Sequence, residues 1–133
     1  MNANEFFALK LEHETDCADV AEDLMGGLGM IVIDARKPEL YERGHVPGAI
    51  NFPHRTMTAE SVQILPRDTL LVTYCDGIGC NASTKAALKL SGFGFRVKEM
   101  LGGLDWWIRD GLPVARGGET GSLRPASTIA CGC

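Results

Sequence analysis

Residues 69–92 read TLLVTYCDGIGCNASTKAALKLSG, an apolar run joined by a glycine-bearing loop to a second apolar pattern. The run at 69–74 predicts a strand because it is rich in β-branched and aliphatic side chains. Residues 81–91 predict a helix whose apolar positions include alanines and leucines, and Gly92 supplies its stop. A strand that leads into a helix is the unit from which parallel sheets are built.

Similar patterns flank this stretch on both sides. Strands are predicted at 7–12, 30–33, 49–51 and 95–100, and helical segments at 16–25, 58–64 and 104–109. The strand at 7–12 is assigned to a sheet edge because Phe7, Leu9 and Leu11 alternate with less apolar residues. The alternation of strands and helices predicts an α/β fold with helices on both faces of a parallel sheet.

The length of 133 residues suits one domain built around one core. We assign residues 1–115 to this domain. Residues 116–133 are rich in glycine and small polar side chains and almost lack large apolar ones, which predicts a flexible C-terminal tail.

Composition argues against several functional classes. Lys and Arg number 13 against 17 Asp and Glu, so the net charge of −4 leaves no basic surplus for nucleic acid. The apolar runs fall short of the roughly 20 residues that a membrane span needs, and residues 1–10 do not resemble a secretory leader. We therefore expect a cytoplasmic protein with no nucleic-acid or membrane partner.

The five cysteines include no Cys-x2-Cys pair, so we expect thiol chemistry rather than a metal site.

That chemistry is expected in the loop inside residues 69–92. Cys75 ends the strand where ligands collect in open parallel sheets, beside a helix start that favours the thiolate. The loop glycines allow backbone N–H groups to point inward as a nest for an anion. We predict Cys75 as the catalytic nucleophile, although a cysteine at this position is equally interpretable as a small apolar side chain. The predicted substrate-binding cradle is Asp76, Gly77, Ile78, Gly79, Cys80 and Asn81.

Three ordered blocks of the sequence resemble the rhodanese domains. Residues 33–51, IDARKPELYERGHVPGAIN, are similar to that family's Asp-x-Arg and Gly-His-Ile-Pro-Gly-Ala signature. The second block begins at Cys75 and keeps the family's spacing to Gly92. Residues 101–114, LGGLDWWIRDGLPV, resemble its closing Leu-x-Gly-Gly-x3-Trp-x3-Gly-x-Pro pattern. The resemblance implies a three-layer, rhodanese-like α/β fold with a parallel sheet of about five strands.

The resemblance also implies a thiosulfate sulfurtransferase-like enzyme. In such enzymes the loop cysteine takes sulfane sulfur from a small donor such as thiosulfate and carries it as a persulfide. An acceptor then removes the sulfur, either cyanide or a thiol, including a thiol on another protein. Cys75 takes the carrier role here, and no cofactor is implied.

The loop departs from the family pattern at three positions. Many members have Gly, a basic residue and Ser where this chain has Ile78, Cys80 and Asn81. The missing cation weakens the case for a dianionic donor, and the charge of Asp76 is expected to raise the pKa of Cys75. Asn81 also stands where phosphatases of this fold use an arginine to clamp an oxyanion, which argues against phosphoryl chemistry.

Two arginines outside the loop are candidate substrate-binding residues. Arg36 follows a predicted strand on the same side of the sheet as Cys75, where it either supplies charge or ties the loop in place. Arg55 follows Pro53 and is the nearest substitute for the missing loop cation.

Two other functions remain open at this point. Cys75 and Cys80 are the residues expected to cycle in a thiol redox protein, although Cys80 is also interpretable as a packed thiol. A non-catalytic rhodanese-like binding module is the other alternative. The tail thiols Cys131 and Cys133 are candidate sulfur acceptors or an inert chain end.

Overall fold

The computed structural model describes residues 1–123 and contains one five-stranded parallel sheet. Its strands are β1 (Glu14–Asp16), β2 (Met30–Asp34), β3 (Ile50–Asn51), β4 (Leu70–Tyr74) and β5 (Val97–Leu101). The helices are α1 (Ala3–His13), α2 (Cys17–Met25), α3 (Pro38–Arg43), α4 (Ala82–Gly92) and α5 (Gly103–Arg109). Short 3₁₀ turns cover His54–Thr56 and Ser61–Ile64.

The strands lie in the order β1-β5-β4-β2-β3, which places β4 in the middle of the sheet. Every pair is parallel, and Asp34 of β2 lies opposite Tyr74 of β4. All carboxyl ends therefore meet at one edge, and Cys75 follows the central strand at that edge.

Two apolar clusters cover the two faces of the sheet, as the three-layer prediction requires. Val32 and Val72 pack toward the cluster that contains α2 and α5 residues. Ile33 and Leu71, their immediate neighbours, belong to the cluster that contains Leu90 of α4. Because consecutive strand residues point to opposite faces, both sides of the central strands are buried.

The predicted edge strand at 7–12 is wrong, because these residues belong to α1. The Asn2 side chain accepts a hydrogen bond from the Glu5 N–H at 2.8 Å, and Glu5 accepts one from the Asn2 N–H at 2.9 Å. This reciprocal capping box starts the helix, and it outweighs the loose two-residue alternation. The edge strand is the shorter β1, which pairs with β5.

The segment from residue 116 begins with contacts to the domain. The Gly117 N–H donates to the Glu42 carbonyl at 2.7 Å, and the Gly48 N–H donates to the Thr120 carbonyl at 2.6 Å. Residues 124–133, with Cys131 and Cys133, lie outside the described residues, so the boundary at 115 stays a prediction. Within residues 1–123, no helix combines the length and apolar character of a membrane span.

Candidate active site

The loop after β4 is anchored by the first turn of α5. The carbonyl oxygens of Cys75 and Asp76 accept hydrogen bonds from the Leu104 and Asp105 N–H groups at 2.9 and 2.8 Å. Gly103 has a φ of +59° and lies so close that an added Cβ would meet the Cys75 carbonyl oxygen at 2.3 Å. The position of the loop therefore depends on a glycine at 103.

The Cys75 side chain is 2% exposed. Its Sγ donates to the Cys80 carbonyl oxygen at 3.1 Å and lies 3.4 Å from the Ser83 Oγ. Cys75 lines a cavity of about 180 Å³ together with Gly77, Gly79 and residues at the end of β5. The sulfur is thus buried, but it borders space beyond the carboxyl edge of the sheet.

The environment of Cys75 favours the thiol form. Burial raises the pKa of Cys75 and the neighbouring Cys80 thiol raises it further, while the Ser83 hydroxyl and N–H offset part of that rise. The expected lowering of this pKa by the helix start is therefore outweighed by burial. Asp76 is not the cause, since its carboxylate is engaged by Arg36 at 3.1 Å.

The environment of Cys80 has the opposite effect. Cys80 is partly exposed. Burial raises its pKa, but hydrogen bonds with the Cys75 thiol and with the N–H groups of Ala82 and Asp76 outweigh that and lower the pKa below its ordinary value of 9.0. The backbone amides expected around Cys75 are thus partly directed at Cys80, and the Cys75 thiol donates its hydrogen bond to the carbonyl of Cys80.

The other predicted loop residues fall into different places. Gly77, Ile78 and Gly79 line the Cys75 cavity, and Ile78 is 86% exposed. The Cys80 N–H donates to the Gly77 carbonyl at 3.1 Å, which closes the loop as a turn. Asn81 caps α4 without a side-chain hydrogen bond and lines neither this cavity nor the one beside Arg36.

Arg36 is the centre of a buried ion-pair network. Its Nη2 lies 2.7 Å from the Asp34 Oδ2 and 2.6 Å from the Gly44 carbonyl, and its Nη1 reaches Asp76. Burial lowers the pKa of Arg36, but the carboxylate of Asp34 outweighs this and raises it, so the guanidinium remains charged. Tyr74 donates to the same carboxylate at 2.6 Å. The network ties the end of β2 to the loop. This is the structural role that the sequence offered for Arg36 as the alternative to supplying charge.

A second cavity, of about 260 Å³, lies beside the loop. It is lined on one side by basic residues, and Arg55 is exposed there. Asp76 and Cys80 border it from the loop, whereas Cys75 does not. The structure therefore brings Arg36, Arg55, Asp76 and Cys80 together at one cavity and leaves Cys75 at the other.

Sequence reasoning missed a polar pair beneath Cys75. The Ser83 Oγ donates to the Glu99 Oε2 at 2.6 Å, and the Thr84 hydroxyl donates to the same oxygen at 2.7 Å. Ser83 is buried, and Glu99 lies in β5 on the wall of the Cys75 cavity. The signal available in the sequence was a serine near the start of α4. Nothing local indicated that a carboxylate of β5 would face it.

Comparison with known proteins finds a matching family model and several relatives. Residues 18–110 match the profile of the Rhodanese-like domain. The chain is 28% identical over 102 residues to a protein named sulfurtransferase from Allochromatium vinosum, covering 77% of this chain and 94% of that one. It is 35% identical over 105 residues to the chloroplastic thiosulfate sulfurtransferase 16 of Arabidopsis thaliana, covering 71% and 87%.

Two further similarities differ in how much of the matched protein this chain covers. An HTH-type transcriptional regulator of Mycobacterium tuberculosis is 32% identical over 126 residues, or 83% of this chain, but the chain spans 55% of that regulator's length. A crystal structure of a Bacillus halodurans protein superimposes with a TM-score of 0.82 at 36% identity, covering 91% of this chain and 90% of the other.

Proposed function

Because the chain belongs to the rhodanese-like domain family, we propose that it is a sulfurtransferase that carries sulfane sulfur as a persulfide on Cys75. The observation that carries this proposal is the position of the Cys75 sulfur at the end of the central strand, on the wall of a cavity of about 180 Å³. Ligands of open parallel sheets bind at this edge.

The cavity has room for the product of the first step. One water occupies about 30 Å³ in the liquid, so a single added sulfur atom fits beside the Cys75 side chain. In that step the thiolate attacks the outer sulfur of the donor, the donor's bond to that sulfur breaks, and the leaving group departs with the electron pair. With thiosulfate as the donor, the leaving group is sulfite. An acceptor thiolate or cyanide then attacks the terminal sulfur and releases the Cys75 thiolate.

The thiolate must first be formed, because the pKa of Cys75 is raised by its burial. The Ser83 N–H, at the first turn of α4, supports the anion once it forms. In the persulfide the charge moves to the outer sulfur, about 2 Å beyond Sγ, so this donor stabilises the attacking thiolate and the thiolate that the acceptor releases. This preorganised support is the contribution of the loop to the reaction.

The test is an intact-mass measurement with thiosulfate as donor. The wild-type protein is expected to gain about 32 Da, the mass of one sulfur, and peptide mapping is expected to place that sulfur on Cys75. The Cys75→Ser variant is expected to lose transfer of sulfur from thiosulfate to cyanide. Cys17→Ser is the matched control, because Cys17 is fully buried and its pKa is raised to about 12 by burial and by Asp110 and Asp16. Absence of any mass gain in the wild type with sulfane donors would contradict the proposal and favour a non-catalytic binding module.

A thiol redox function is the second candidate, and the nearness of the two cysteines favours it, since the Cys75 thiol donates to the Cys80 carbonyl at 3.1 Å. Oxidation would form a disulfide with the loss of two hydrogens. A mass loss of about 2 Da under mild oxidant, without sulfur uptake from any donor, would identify this function instead.

A further inference from the structure

Cys80 is the one residue that lines both cavities at the carboxyl edge of the described sheet. We propose that a small anionic sulfane-sulfur donor binds in the cavity beside Arg36, that Cys80 attacks it first, and that the sulfur then passes from Cys80 to Cys75. This inference rests on the proposed sulfurtransferase function and adds the site and the first acceptor of the sulfur.

The cavity suits an anion because exposed positive charges line it. Lys37 and Arg55 are exposed on its wall, and the Lys89 ammonium donates to the His54 carbonyl at 2.7 Å. Burial lowers the pKa of the His54 imidazole, and the charges of Lys89, Lys85 and Arg55 lower it further. These cations lie together in a chain whose net charge is −4, so they form a local binding surface for an anion.

Arg36 does not supply this binding charge. Its guanidinium is already balanced by Asp34 and Asp76, and its side chain is 5% exposed. Among the described residues that line this cavity, the exposed cations outside these ion pairs are Lys37 and Arg55. Cys80 borders the cavity that they line, and the Cys75 sulfur does not reach it.

Cys80 is also the better attacking thiol of the pair. It is partly exposed, whereas Cys75 is 2% exposed. The N–H groups of Asp76 and Ala82 interact with the Cys80 sulfur and stabilise its thiolate. A donor seated between Lys37 and Arg55 thus meets the more acidic thiol of the pair without entering the interior.

The two steps balance without an added oxidant or reductant. The Cys80 thiolate attacks the outer sulfur of the donor, whose sulfur–sulfur bond breaks, and the leaving group takes the electron pair. The Cys75 sulfur then attacks the terminal sulfur of the Cys80 persulfide. The proton of the Cys75 thiol, which donates to the Cys80 carbonyl at 3.1 Å, passes to the departing Cys80 sulfur. Cys80 is restored as a thiol, and Cys75 holds the persulfide in the more enclosed cavity.

The full-length protein and its Cys75→Ser and Cys80→Ser variants test the relay. Each is mixed with thiosulfate, and the added sulfur is located by peptide mass mapping over time. We expect the sulfur on Cys75 in the wild type and on Cys80 in Cys75→Ser. In Cys80→Ser, loading of Cys75 is expected to slow at least about tenfold, because the buried thiol meets the donor directly.

The outcomes separate this inference from the function on which it rests. If Cys80→Ser loads Cys75 at the wild-type rate, or Cys75→Ser takes up no sulfur, the relay is wrong while sulfur transfer stands. If the loaded protein then releases hydrosulfide, a loss of about 34 Da that leaves it about 2 Da lighter than before loading, Cys80 resolves the persulfide as a disulfide and the relay is also wrong. If the wild type takes up no sulfur, the proposed function itself fails.

A charge variant tests the donor site. Arg55→Gln is expected to raise the thiosulfate concentration for half-maximal loading about two- to fivefold, the range for one exposed ionic contact. Arg96→Gln is the matched control, since Arg96 is exposed and borders a different cavity. The measurement is repeated with a second donor, the persulfide of a thiol that carries a carboxylate. The site recognises the class of donor whose half-maximal concentration rises more in Arg55→Gln. Equal half-maximal concentrations in Arg55→Gln and wild type for both donors would overturn the site.

Discussion

The contact between Gly103 and the loop predicts a large effect of one methyl group. In Gly103→Ala the added Cβ would meet the Cys75 carbonyl oxygen at 2.3 Å and the Gly77 nitrogen at 2.7 Å. Both are backbone atoms, and the Cys75 carbonyl is held by the Leu104 N–H of α5, so relief of the clash moves the loop. The positive φ of +59° adds a conformational cost for alanine of roughly 1–2 kcal/mol. The steric overlap adds about 1–3 kcal/mol, the range for overpacked sites.

Gly111→Ala isolates the steric part of this effect. Gly111 has a comparable φ of +77°, but an added Cβ there meets nothing within 4 Å. Only the conformational cost applies to it. We therefore expect Gly103→Ala to unfold about 3–12 °C below Gly111→Ala, from a difference of about 1–3 kcal/mol. Thermal unfolding followed by circular dichroism measures this difference directly.

The same pair of variants links the contact to the site. A shift of the loop moves the sulfur of Cys75 relative to its cavity, so Gly103→Ala is expected to load sulfur at least about tenfold more slowly. Gly111→Ala is expected to load at the wild-type rate under conditions where both are folded. Equal melting temperatures for the two variants, with equal loading rates, would refute the argument from Gly103.

Three further predictions concern the charges around the site. Burial raises the pKa of Cys75 above its ordinary value of 9.0. The rate at which iodoacetamide alkylates Cys75 should therefore keep rising from neutral pH to at least pH 9.0. A plateau of this rate near pH 7 would contradict the burial argument. Glu99→Gln removes a negative charge and weakens the hydrogen bond that the Ser83 hydroxyl donates to residue 99. We expect this to stabilise the Cys75 thiolate by roughly 0.7–1.4 kcal/mol. Alkylation of Cys75 at pH 7 should then be about three- to tenfold faster. Asp34→Asn removes the buried charge partner of the Arg36 guanidinium and leaves it only the exposed Asp76. The free energy of unfolding in urea should then fall by about 3–5 kcal/mol, and a loss below 1 kcal/mol would show that the Asp34 pair is dispensable.

The helix α1 shows where local patterns were insufficient. The alternation of Phe7, Leu9 and Leu11 suggested a strand, yet none of the residues of α1 is buried. With no core contact to decide between the two periods, the capping box of Asn2 and Glu5 determined the conformation. The central elements were predicted within a few residues because burial on both faces requires continuous apolar runs there.

For the site, the position of the cysteine along the chain was predictable and the tertiary contacts around it were not. The position of Cys75 after the middle strand followed from the order of strand, loop and helix alone. Its catalytic role stays a prediction, and so do the substrate-binding roles of the loop residues, Arg36 and Arg55. The placement of Glu99 beside Ser83 was not predictable, since the two side chains come from elements that are separated by 16 residues and meet only across the β4–β5 pairing.

The sequence by itself determined the parallel three-layer architecture and the loop that bears the two thiols, because hydrophobic periodicity and glycine spacing are local properties of the chain. Only the tertiary structure decided which thiol is buried and which borders the basic cavity. Burial, opposing charges and the direction of backbone amides arise from residues that are distant in sequence. These long-range effects raise the pKa of Cys75 and lower that of Cys80, and they place the free cations beside Cys80.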